Sequence, residues 1–175
     1  SQDIVDKWSV RCKKDYPLLI EGVWDGENDN SICSINYMRK HVNNPAKTNI
    51  EISLTGSERE VTTEKMIVFF KEVINDKFDA YAFIHTNGYW FNEHNVFPDR
   101  ICAGWMIYIP HIINDSLIPE AAKIVPVMLQ DKQKGTIIVS IGEIFDGTNK
   151  EHIAKANDIE IRLLDLGLLP LMTEL

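Results

Sequence analysis

No CxxC pair, no HxxxH or HExxH, no GxSxG elbow and no glycine-rich turn between strand and helix occurs in these 175 residues. Each absence removes a class of chemistry. Cys12, Cys33 and Cys102 are an odd, widely spaced set, which argues against a disulfide framework or a zinc site and for reduced thiols. Paired helical metal ligands need a spacing of about three or four residues. His85, Glu93, His94, His111 and His152 offer only the adjacent pair Glu93 and His94, which a helix or strand points in different directions. Asp25 to Asn36 imitates a calcium loop, but Asn30 stands where the sharp turn wants glycine and Asn36 where the bidentate carboxylate belongs. The expectation is therefore a chain with no metal, no cofactor and no nucleotide site.

Long apolar runs are missing too. No window approaches the roughly 18 apolar residues of a spanning helix, and the stretch SQDIVDKWSVRCKKDYPLLIEG contains no signal-peptide core. These readings point to a cytoplasmic protein without a membrane partner. Asn114-Asp115-Ser116 is a glycosylation sequon by letters and reads as a turn in that setting. Basic side chains are outnumbered, 18 against 26 acidic, for a net charge of −8. Such a surface repels phosphate backbones, so direct nucleic-acid binding is disfavoured, and a basic protein partner, or one whose own site grips nucleic acid, fits better.

Hydrophobic residues make up 45% of the chain, enough for one sizeable core, so length and composition point to a single domain over 1–175. Tyr16 to Trp24 is apolar and β-prone and ends at a polar turn, Asp25 to Asn30. Ile32, Ile35, Met38, Arg39 and Val42 fall at helical spacings, which predicts a short amphipathic helix over Ser31 to Val42, closed by Asn43-Asn44-Pro45. Ile50, Ile52 and Leu54 alternate with polar residues, a half-buried strand. Thr62 or Thr63 opens a helix over Glu64 to Ile74 with a broad apolar face. Asn87-Gly88 predicts a hairpin within Ala80 to Trp90. Cys102 to Ile109 reads as a buried strand stopped by Pro110, Pro119 as the start of a helical turn, and Ile124 to Leu129 as extended. Lys132 to Gly135 reads as a turn leading into the strand Thr136 to Ile141. Asn149 caps a final helix ended by Gly167 and Pro170. Short connections join antiparallel strands, so the fold class is α+β with a largely antiparallel sheet packed with several helices.

Three acidic groupings stand out: Asp25, Glu27 and Asp29; Glu58, Glu60 and Glu64; and Glu151, Asp158, Glu160 and Asp165. Each reads either as solvated surface or as a face complementary to a basic cleft. Tyr89, Trp90 and Phe91, beside Asn92, read either as core or as interface anchors. The candidate partner-binding set is Asp25, Glu27, Asp29, Glu58, Glu60, Tyr89 and Trp90. A thiol enzyme using Cys33 or Cys102 with a distant histidine is an alternative, although Cys102 lies in an apolar run where burial raises a thiol pKa. A scaffold or interaction module is another. The expectation is a binding protein, not an enzyme.

The segments Val96-Phe97-Pro98-Asp99-Arg100, Gly104-Trp105-Met106 through Pro110, Pro119-Glu120-Ala121-Ala122 through Val125-Pro126-Val127 and Gly135-Thr136-Ile137-Ile138-Val139 occur in that order. Glu151-His152-Ile153 through Ala156-Asn157, Ile161-Arg162-Leu163 and Leu168-Leu169-Pro170 complete the series. As an ordered set they resemble the immunity protein 52 family of bacterial polymorphic toxin systems. The resemblance spans about 75 residues and gives no match over Asn43 to Asn95. It implies a cytoplasmic antidote that binds a cognate toxin, a nuclease in many such systems, and covers its active cleft.

Overall fold

A computed structural model describes residues 18–24, 26, 33–40, 48–54, 61–75, 79–86, 88–90 and 92–175, with 2 and 6. The architecture is α+β, and both sheets are antiparallel. The length argument leads to one domain; the chain packs as two compact units, Ser1–Glu60 and Val61–Leu175.

The first unit holds a three-stranded meander of β1 (Leu18–Trp24), β2 (Cys33–Lys40) and β3 (Thr48–Leu54). Strand β1 falls within the apolar, β-prone stretch Tyr16 to Trp24, and β3 falls where alternation predicts it. The helix expected over Ser31 to Val42 is instead β2, the central strand, hydrogen-bonded on both sides. Register explains the change: Val23, Ile35 and Ile52 stand opposite one another and share one face of the sheet. A row of cross-strand β-branched pairs outweighs the weak helical periodicity of one short segment.

The second unit is built on a four-stranded sheet in the order β4-β5-β7-β6, from β4 (Ala82–Ile84), β5 (Met106–Ile109), β6 (Lys123–Leu129) and β7 (Lys132–Val139). The hairpin expected at Asn87-Gly88 is absent among the described residues, because β4 pairs with β5, far along the chain. The β5 sequence MIYI and the inner half of β7 are buried on both faces. Continuous apolar runs follow from such two-sided cover.

Helices supply that cover. On one face α1 (Thr63–Ile74) packs Ile67, Phe70 and Ile74 with Met106, Tyr108, Val125, Val127 and Val139. On the other, α2 (Lys150–Asp165) packs Ile159 and Leu163 with Ile107, Ile109 and Ile138. Thr62 caps α1 by accepting from the Lys65 N–H, and Asn149 caps α2 by accepting from the Glu151 N–H. Gly167, at φ 71°, closes α2: its N–H donates to the Leu164 carbonyl while that of Leu168 donates to Leu163.

The turn expected at Lys132 to Gly135 lies two residues earlier. Leu129 faces Lys132, so Gln130 and Asp131 form the loop, with Gln130 at φ 53°. Val127 faces Gly135 while Met128 faces Gln133, which leaves Lys134 as the extra residue of a bulge. Pro126 faces Thr136 within the edge strand β6. Gly135 is a strand residue whose missing side chain leaves room for the Tyr108 ring. A Cβ there would come within 2.5 Å of Tyr108 Cε2 and 2.6 Å of the Ile109 carbonyl oxygen.

Gly135→Ala is therefore expected to destabilise by about 1–3 kcal/mol, since backbone must shift to admit the methyl group. Gly142→Ala, where an added Cβ meets nothing within 4 Å, serves as the control and stays within about 0.5 kcal/mol. Urea unfolding of the two variants checks the difference.

Candidate functional site

The segment from Thr86 to Ala103 joins β4 to the approach of β5 and carries the aromatic candidates. Gly88, at φ 75°, starts a turn held by its own backbone: Asn92 N–H donates to the Gly88 carbonyl, Glu93 to Trp90 and His94 to Tyr89. Tyr89 and Trp90 are neighbours in sequence and opposites in environment. Tyr89 is 0% exposed, edge-on to Phe145 at 5.3 Å, and so belongs to the core. This corrects its reading as a surface anchor: its hydroxyl is held 2.8 Å from Asn157 Oδ1 and 3.0 Å from Glu160 Oε1, out of reach of any partner. Trp90 is 37% exposed, with its ring edge-on to Phe83 at 5.8 Å and beside His85 at 6.1 Å. Packed against two rings and still partly exposed, the indole has the amphipathic character of an interface anchor.

Beneath the turn lies Glu160 of α2, 0% exposed. Its Oε1 accepts from the Tyr89 hydroxyl and from the Ala103 N–H at 2.9 Å, and its Oε2 accepts from the Val96 N–H at 2.7 Å. No cation pairs with it among the described residues. Burial pushes its pKa up, and the hydrogen bonds from Ala103, Val96 and Tyr89 oppose that shift. Glu160 thus leaves the acidic surface grouping in which sequence placed it. The signal was present: His152, Ala156, Ile159, Glu160 and Leu163 recur at helical spacing on one buried stripe of α2. Glu151, Asp158 and Asp165 are exposed on that helix, as expected of solvated acids.

Cys102 lies next to this node and is buried. Its thiol is pushed upward, first by burial and then by the Glu160 charge, the opposite of the environment that activates a thiolate. The Tyr89 phenol is raised for the same reasons, so both groups stay protonated. His152 is also buried and structural. Its Nδ1 accepts from the Asp146 N–H at 2.9 Å, which places the proton on Nε2 facing Glu143 Oε1 at 3.0 Å. Among the described residues, no group of three or more His, Cys, Asp or Glu side chains is arranged to hold a metal ion. No helix among them is long and apolar enough to cross a membrane.

The other candidates divide unevenly. Asp25, Glu27, Asp29, Glu58 and Glu60 lie outside the described residues, as does Phe91. Glu64 is exposed on α1 and pairs with Lys123 at 2.7 Å. Phe69, which the sequence places on the apolar face of α1, is exposed instead, while Ile67, Phe70 and Ile74 are buried. A face of that width exceeds what one side of the sheet can cover.

Removing the buried carboxylate tests how much of the turn depends on it. Glu160→Ala leaves the Val96 and Ala103 N–H groups without an acceptor, at about 1–3 kcal/mol each before relaxation, so a loss on the order of 3 kcal/mol is expected. Asn157→Ala removes only the second acceptor of Tyr89 and is expected to cost about 1 kcal/mol. Chemical unfolding at pH 7 should rank the two in that order.

The chain matches no protein-family model and no curated protein.

Proposed function

We propose that this chain is a cytoplasmic immunity protein that binds a cognate bacterial toxin, a nuclease, and covers its active cleft. The observation that carries the reading is the partly exposed Trp90, held on a hydrogen-bonded turn within a unit of net negative charge. An aromatic side chain fixed before binding loses little conformational entropy on docking. Residues 61–175 hold 16 acidic and 10 basic side chains, a net of −6 within the chain's −8. Acid in this proportion complements a cleft whose basic groups grip phosphates, and it raises the association rate while repelling nucleic acid itself. The ordered resemblance from Val96 to Pro170 supports the same reading. In it, Trp90 anchors the contact, and Asp25, Glu27, Asp29, Glu58 and Glu60 steer the approach.

Coexpression with the toxin encoded beside it should restore growth and yield a complex that copurifies. Persistent toxicity without copurification would sink the proposal. Trp90→Ala is expected to weaken the complex by about 2 kcal/mol, roughly thirtyfold in Kd, with the fold intact. Reversing Asp25, Glu27 and Asp29 to Lys should slow association and flatten its dependence on salt, as stopped-flow mixing at several ionic strengths would record.

A further inference from the structure

The loop from Ser140 to Asn149 carries the chain from β7 to α2, and side chains from elsewhere in the unit hold it. Thr63 Oγ1 of α1 donates to the Gly142 carbonyl at 2.7 Å, and the Thr86 hydroxyl donates to that of Phe145. Asp146 closes a small turn, its Oδ1 accepting from the Thr148 N–H and its carbonyl from the Asn149 N–H. The buried ring of His152 ties this turn to α2, with Nδ1 accepting the Asp146 N–H at 2.9 Å. Ahead of Phe145, the exposed Glu143 and Ile144 line, with Gly142, Val61, Thr62 and Thr63, a cleft of about 460 Å³.

From this geometry we propose that His152 is an acid-operated latch: as a neutral imidazole it pins the β7–α2 loop at Asp146, and as an imidazolium it releases Asp146 and holds Glu143 alone. Lone pairs decide this. Nδ1 of an imidazole has a single lone pair in the ring plane, and the Asp146 N–H occupies it. A proton on Nδ1 takes that lone pair, and the ring then presents two N–H donors and no acceptor. A backbone N–H has no acceptor role to turn to, so two donors 2.9 Å apart must separate. Nε2 meets no such conflict. It already carries the proton facing Glu143 Oε1 at 3.0 Å, and the positive charge turns that contact into an ion pair. Acid thus exchanges a fastening at Asp146 for a charge-assisted one at Glu143, and the wall of the cleft that Glu143 and Ile144 form shifts with it.

Charged and titratable groups surround the ring on the loop and on its own helix. Glu143 lies at Nε2 and supplies the imidazolium with a counter-ion as it forms. The Asp146 carboxylate is engaged with Thr148, accepting from both its N–H and its hydroxyl. Glu151 and Lys155 flank His152 on α2, both exposed. Tyr89 stands across the Phe145 ring, its hydroxyl turned to Asn157 and Glu160. From α1, the loop is reached by the uncharged Thr63.

NMR of the full chain tests the latch through ring and amide together. At about pH 8, long-range proton–nitrogen spectra should show His152 Nδ1 bare and Nε2 protonated. On acidification to about pH 5, the His152 ring and the Asp146 amide should titrate with one midpoint. Hydrogen exchange at Asp146, corrected for its intrinsic rate, should report an opening equilibrium that rises about tenfold per pH unit toward that midpoint and levels off below it. The Ile153 amide, bonded to the Asn149 carbonyl inside α2, should keep its protection throughout. His152→Gln offers the Asp146 N–H an acceptor that does not titrate, and should make the opening equilibrium independent of pH. Should that variant fail to fold by circular dichroism, Glu143→Ala, at an exposed position, takes its place: the Asp146 amide should still follow the His152 ring at whatever pH the ring titrates. A protonated Nδ1 at pH 8, a wild-type ring that stays neutral to pH 5, or an amide and ring that part company in either protein would overturn the latch. Loss of protection at Ile153 with the same midpoint would overturn it too, since the helix and not the loop would then be opening.

Discussion

A carboxyl buried with no cation beside it among the described residues depends on donors that converge on it to replace water, and Glu160 is such a group. Its three donors come from Tyr89, Val96 and Ala103, spread along the whole crossing from β4 to β5. That crossing has little regular structure of its own, so one side chain of α2 does the work that a ladder does elsewhere. The approach to β5 inherits its position from this node. Just beyond Ala103, Gly104 turns at φ 52°, where a Cβ would lie 2.6 Å from the Ile84 carbonyl oxygen, and the Trp105 N–H then closes on that same oxygen.

The sheet and helices depend on the node in a second way. Covering β5 and β7 on both faces requires α2 to hold its rotation about its own axis, because a turn of the helix would exchange Ile159 and Leu163 for Asp158 and Asp165. The apolar stripe sets that rotation approximately; hydrogen bonds with fixed directions set it closely. Arg162 adds a fastening on the exposed side, reaching Glu120 Oε1 at 2.7 Å and holding that carboxyl below its usual range. Its contribution is small, since solvent screens an exposed pair.

How much of this was legible depended on whether the deciding interactions were local. Helices α1 and α2 were readable because capping residues, a 3.6-residue period and a terminal glycine all lie within the segment that folds. Strand β2 was not, because Ile35, Met38 and Arg39 satisfy a helical spacing on paper and only the presence of β1 and β3 on either side selects extension. The Lys132 to Gly135 turn failed for a related reason: a glycine usually marks a bend, but Gly135 is needed for the room it gives Tyr108, a residue remote in sequence. At the candidate site, adjacent aromatics with the same local signal, Tyr89 and Trp90, took opposite fates. Glu160 hid among charges because a letter count registers acidity and ignores which side of a helix carries it.

Pro126 faces Thr136 near the middle of β6, the long free edge of the four-stranded sheet. Proline has no N–H to offer, so an incoming strand would find the outward row of donors broken at its centre. The opposite edge, β4, is only three residues long. Neither border can template a second copy over a useful length, and the apolar β5 and β7 are sealed between them. Edge-to-edge pairing of this four-stranded sheet with a second copy is thus disfavoured at both of its borders.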